Sequence, residues 1–256
     1  MFKYIWFKEV KESLSTWKGM LWLFVSSLIF SFTSYLLLTD KELSLLDQTE
    51  LLWLLSKVII GVAILIVAID ASSIITSEFE KETAESLFIT PLKLKDLLLG
   101  KLLASLTLWG QIYIVAVPYM VVTSMGSGLL WGFAGYVALL GSLGITAMVM
   151  VIFAISLLYR SSKNTLTTSL IILLALSIPA FFSSTLTNNP MAQFFGVVNP
   201  VDNIFSSLDN VLVDYHQSLL QNWNYLLPLL LFLIASAVFM FFAAKRFQKE
   251  GVIKND

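Results

Sequence analysis

Long stretches of this chain contain no Asp, Glu, Lys or Arg, among them Gly19 to Thr39, Leu102 to Tyr159 and Tyr215 to Ala244. A soluble core does not demand runs of that length. A hydrocarbon layer roughly 30 Å thick does, because one helix needs about 20 apolar residues to cross it. Only 13% of the residues are charged and 57% are hydrophobic, against about 25% charged in an ordinary soluble domain. With no water to satisfy backbone groups inside a bilayer, such runs must be helical or form a closed barrel, and their length selects helices. The expected fold is all-α: a polytopic membrane protein forming one transmembrane domain over residues 1–256.

Six spans are predicted. The first runs from Gly19 to Leu38 and the second from Trp53 to Thr76. The run from Leu102 to Tyr159 is too long for one crossing, and its Gly/Ser/Thr cluster at Thr123 to Gly128 marks a turn between the third and fourth. The fifth covers Leu166 to Phe182 and the sixth Tyr225 to Ala244. Before them, Phe2, Ile5, Trp6, Val10, Leu14 and Trp17 recur at steps of three or four among Lys, Glu and Ser. Residues 1–18 therefore form an amphipathic helix, lying in the membrane interface or docked as a plain cytoplasmic helix. The charges that interrupt this segment, with no small-residue cleavage site after it, distinguish it from a signal peptide.

Positive charge sets the orientation, since short cytoplasmic loops retain Lys and Arg. Of sixteen such residues, four precede the first span, four lie between Lys81 and Lys101, two are Arg160 and Lys163, and four follow the sixth span. Only Lys41 and Lys57 fall elsewhere. Both termini are thus expected in the cytoplasm of a cell whose inner membrane holds the protein. The long outer segment, residues 183–224, lacks Lys and Arg yet contains Phe194, Phe195, Val197 and Val198. It is expected to dip back toward the membrane or to pack as short helices on its outer surface.

Catalytic chemistry has little to build on. There is no cysteine, and the single histidine, His216, has no histidine partner; no metal site or protein-bound cofactor is expected. Gly126-Ser127-Gly128 lacks the spacing of a nucleophile elbow and reads as a turn. No phosphate-loop motif occurs, so ATP, if used, binds elsewhere. No basic tract suggests nucleic acid. Ionisable residues within spans are functional candidates. Lys57 lies near the outer end of the second span, where it can snorkel. Asp70 lies near the inner end, where it could face a cation, a lysine or the bundle. With Gln111, Asp70 is a candidate for the substrate path, and an ion-coupled transporter or channel using Asp70 and Lys57 is the second functional reading.

The most informative stretch is the cytoplasmic connection over residues 77–98, which contains EFEKETAESLFITPL from Glu78. At 100° per residue Glu78, Glu82 and Glu85 share a face, beside an apolar ridge of Ala84, Leu87 and Phe88. Thr90 can cap a following helix and Pro91 suits its first position. The pattern Glu78, Glu80, Thr83, Glu85, Leu87 and Pro91, followed by Leu99-Gly100-Lys101-Leu102-Leu103, resembles the first cytoplasmic loop of ABC-transporter permeases of the type-2 export class. Asn199-Pro200 in the outer segment and the helix layout resemble that family too. Glu82 stands where the family usually has glycine; glutamate is the better helix former. The resemblance implies that residues Glu80 to Phe88 form a coupling helix seated on a separate ATPase subunit. It also implies a second permease, ATP and Mg on the ATPase partners, and outward transport of a substrate.

Overall fold

A computed structural model describes residues 2–40, 47–80, 94–125, 128–186, 198–213 and 222–253. Eight helices occur among the described residues: α1 (Phe2–Ser15), α2 (Trp17–Thr39), α3 (Gln48–Glu80), α4 (Leu94–Thr123), α5 (Leu130–Tyr159), α6 (Ser162–Leu186), α7 (Pro200–Leu212) and α8 (Trp223–Ile253). Five of them, α2, α3, α4, α5 and α8, are long and apolar enough to cross a membrane. Each predicted span falls within one helix, the fifth within α6.

Most helices outrun the spans predicted for them. α3 and α4 extend through Glu80 and from Leu94, beyond Thr76 and Leu102, and α8 continues past Ala244 to Ile253. The loss of apolar residues marks where the bilayer solvent ends, whereas a helix stops only where its backbone loses partners.

α3 and α5 form the inner pair, with 56% and 61% of their most apolar windows buried; α2 and α8 have 22% and 17% and lie outermost. α5 packs on α3, α4, α6 and α8, and α1 packs along α4 and the start of α2. Two glycines of α5 permit this closeness. A β-carbon on Gly141 would lie 2.6 Å from the Trp109 ring of α4, and one on Gly144 would lie 2.4 Å from Cδ1 of Ile204 in α7. The α4–α5 turn includes Gly128 at φ 67°, a left-handed conformation that glycine adopts without steric cost.

The helices define two ends. The base holds α1, the ends of α3 and α4 that flank residues 81–93, the α5–α6 turn and the end of α8. The far end holds α7 and the α4–α5 turn.

Candidate functional site

The base is organised around Lys101. Its neighbours Leu98, Ser105, Leu108 and Ile112 recur at helical spacing on the buried stripe of α4, which carries Lys101 inward to 1% exposure. Its ammonium has three donors to satisfy. It lies 2.7 Å from Oε1 of Glu78 and 3.1 Å from Oε1 of Glu9, and donates to the carbonyl of Ile74 at 2.7 Å. Three elements, α1, α3 and α4, thus meet on one cation. An unpaired charge at that depth would cost several kcal/mol.

A second clasp sits at the end of α3. The carboxylate of Glu80 accepts from the backbone N–H of Ser162 at 2.7 Å and from its hydroxyl at 2.9 Å. Ser162 opens α6, so Glu80 caps the electropositive start of that helix from a different one. The Thr76 hydroxyl lies 2.6 Å from that of Ser162. Beside this clasp, Phe79 packs on Phe247 of α8 with ring centroids 5.3 Å apart, and the Arg160 guanidinium lies 5.0 Å from the Phe247 centroid. Arg160 closes α5 in the left-handed region, at φ 54°.

Glu78 and Glu80, expected on a helix beyond the second span, therefore lie in the last turn of that span's helix and bind within the chain itself. Glu82, Thr83, Glu85, Leu87, Phe88 and Pro91 lie outside the described residues, as does His216. Asp70 binds Lys18 of α2 at 3.0 Å, and Lys18 also donates to Ser73 at 3.0 Å. Gln111 is half-buried on α4. Sequence reasoning counted Lys101 as a loop charge. Its place in a helical stripe with Leu98, Ser105 and Leu108 was the signal that it turns inward. Nothing local marked Glu9 or Ser162, whose partners are distant in the chain.

At the far end, Asn199 caps α7 with its own side chain, accepting from the N–H of Val201 at 3.0 Å, and Pro200 takes the first helical position. Asn199 is 4% exposed and its amide donates to the carbonyl of Leu176 in α6 at 2.6 Å. Val201, Ile204, Leu208 and Leu212 form the buried face of α7. Lys57 of α3 holds its ammonium 3.4 Å from the Trp53 ring centroid and 5.7 Å from that of Phe205, with Asp202 and Asp209 of α7 exerting attraction. The Trp53 indole donates to the carbonyl of Phe205 at 3.1 Å. Among the described residues, no group of three or more His, Cys, Asp or Glu is placed to hold a metal ion.

The model of the ABC-2 family transporter protein matches residues 5–252, nearly the whole chain. The chain belongs to the ABC-2 transporter family. It is accordingly a multi-pass membrane protein and the permease component of an ABC transporter, a membrane subunit and not itself the catalytic one. Permeases of this family generally work with ABC ATPases. No curated protein matches the sequence.

Proposed function

We propose that this chain is the permease subunit of an ATP-driven exporter, crossing the cytoplasmic membrane six times with both ends in the cytoplasm. Besides the five long apolar helices, the remaining crossing, fifth in chain order, is α6, whose 25 residues extend about 37 Å at 1.5 Å per residue. It pairs with a second permease, identical or related, and with two ATPase subunits that hold ATP and Mg. Residues 81–93 dock on an ATPase through the ridge of Leu87 and Phe88, with Glu82 and Glu85 at the rim.

The observation that supports this reading best is the bridge from Glu80 to Ser162, 2.7 and 2.9 Å long. It joins the helix that leads into the docking loop to the start of α6. When the ATPase pair closes and displaces residues 81–93, α3 and α6 are pulled as one. Lys101 makes the other side of the loop follow, because Glu78 and Lys101 stand on its two flanks. The two helices tilt together and open a path outward.

Re-entry of the outer segment has geometric support. Ile204 of α7 touches α5 at Gly144, near the middle of that 30-residue helix and about 20 Å from its outer end at 1.5 Å per residue. α7 then lies within the outer half of the bilayer and its movement would gate exit. The ion-coupled alternative draws no such support: Asp70 is held by Lys18, and Lys57 by Trp53 and the acidic side chains of α7.

The decisive experiment uses the permease–ATPase complex from native membranes. Truncating a buried interface anchor costs more than about 2 kcal/mol, or roughly thirtyfold in affinity. Leu87→Ala and Phe88→Asp are expected to weaken ATPase association by at least that factor and to abolish transport, with membrane insertion unchanged. Glu85→Lys should impair coupling by placing a repulsive charge at the rim. Normal transport by Phe88→Asp and by Glu85→Lys would show that residues 81–93 are a solvated connector.

A further inference from the structure

α1 does not lie flush on α4. Between them is a side groove of about 480 Å³ lined by Lys3, Trp6, Leu103, Leu106 and Thr107, within the range of about 300–1,000 Å³ common for small-molecule sites. Its wall is fixed: the Trp6 indole donates to the Thr107 hydroxyl at 2.9 Å, and that hydroxyl donates to the Leu103 carbonyl at 2.8 Å. The polar atoms of the wall are thereby satisfied within the protein. What remains facing the groove is the Trp6 ring and the Leu103 and Leu106 side chains, with one ammonium at the rim.

That ammonium belongs to Lys3, and among the described residues no carboxylate pairs with it. The acidic residues of α1 are committed elsewhere, Glu9 to Lys101 at 3.1 Å and Glu12 to Lys8 at 3.8 Å. Tyr4 and Phe7 are 84% and 66% exposed, so the helix presents further apolar surface beside the groove, as an interfacial helix does. An apolar slot opening sideways from a membrane protein, with a free cation at its mouth, is complementary to a lipid with an acidic head.

We propose that this groove is a binding site for one anionic phospholipid, its phosphate against Lys3 and an acyl chain laid over Trp6, Leu103 and Leu106. Placing that lipid in the cytoplasmic leaflet rests on the orientation proposed above; the site itself does not. Since α1 also reaches Lys101 through Glu9, an occupied groove holds α1 against α4 and steadies the base that flanks the docking loop.

The test uses the full chain in nanodiscs of phosphatidylcholine doped with either phosphatidylglycerol or phosphatidylcholine brominated in the acyl chains. Both leaflets have the same composition, so failure of the proposed orientation leaves the result unaffected. The readout is the quenching of Trp6 fluorescence, isolated by subtracting the Trp6→Phe variant. A lysine near an anionic headgroup favours it about fivefold. Half-quenching is therefore expected at about one-fifth the mole fraction of the brominated phosphatidylglycerol, and Lys3→Gln should abolish that preference while quenching persists. Lys3 is on the surface, so the substitution leaves the fold intact. Equal quenching by the two lipids, a preference that survives Lys3→Gln, or no Trp6 component would each overturn the site.

Discussion

At the base of the bundle a buried ammonium, Lys101, is surrounded by carboxylates from two other helices; at the far end Lys57 rests on the face of Trp53, with Phe205 behind it. Both are single lysines where long helices converge. Lys101 has 1% of its surface exposed, so all three of its donors must be satisfied by protein, and Glu9, Glu78 and the Ile74 carbonyl do so. Lys57 is only half-buried and keeps access to solvent, so an aromatic face suffices. The base is thus held by charge that cannot be removed singly, whereas the far end is held by apolar packing and amide hydrogen bonds with charge as an accessory. On the function proposed above, the base transmits force, which needs directional, stiff links. On the same proposal the far end gates, and a gate can rest on packing that slides.

The largest effect should come from breaking the base. Lys101→Met leaves two partly buried carboxylates without their cation, at a cost of about 3 kcal/mol. Thermal unfolding of the purified protein in detergent should show a marked fall in the midpoint. The reversed pair Lys101→Glu with Glu78→Lys should recover part of it. A midpoint unchanged by Lys101→Met would mean that the node is solvated and that the contrast between the ends is false.

An intermediate effect is expected at Asn199. Asn199→Ala removes a helix cap and the bond to the Leu176 carbonyl, together about 1–2 kcal/mol. Because these contacts hold α7 alone, the loss should appear as roughly tenfold faster hydrogen exchange in α7, with α3 and α5 protected as before. Faster exchange throughout the bundle would show that α7 is integral to the core and does not move on it.

The smallest effect belongs to Lys57. Lys57→Met keeps the long side chain on Trp53 and removes the cation–π attraction, about 0.5–1 kcal/mol, together with the attraction of Asp202 and Asp209 for a half-buried charge. A midpoint shift as large as that of Lys101→Met would erase the distinction between the two lysines.

The five long apolar helices were legible in the sequence because a bilayer leaves a coarse mark, long runs nearly free of charge. Asn199-Pro200 stood out in the sequence by family resemblance alone, although the cue for a helix cap, Asn before Pro at the first turn, was legible. That Asn199 also grips α6 was not, because its acceptor is a backbone carbonyl that no side-chain pattern announces. That Glu80 reaches the start of α6 was not legible for a related reason. A run of glutamates at helical spacing reads as a face for a partner, and only the fold brings the α6 terminus to it. Lys101 sat at the edge of an uncharged run, where charge counting files it with the loop, although its spacing from Ser105 and Leu108 places it on the inner stripe of α4.

Lys101 also has a consequence for how the chain is made. Synthesis delivers residues in order from the N-terminus, at about 5–20 per second, and Glu9, Ile74 and Glu78 all precede Lys101. Every acceptor for that ammonium has left the ribosome before the lysine itself emerges. The cation can pass from water directly into a waiting cage as α4 inserts, and at no stage of assembly need it sit unpaired in the lipid.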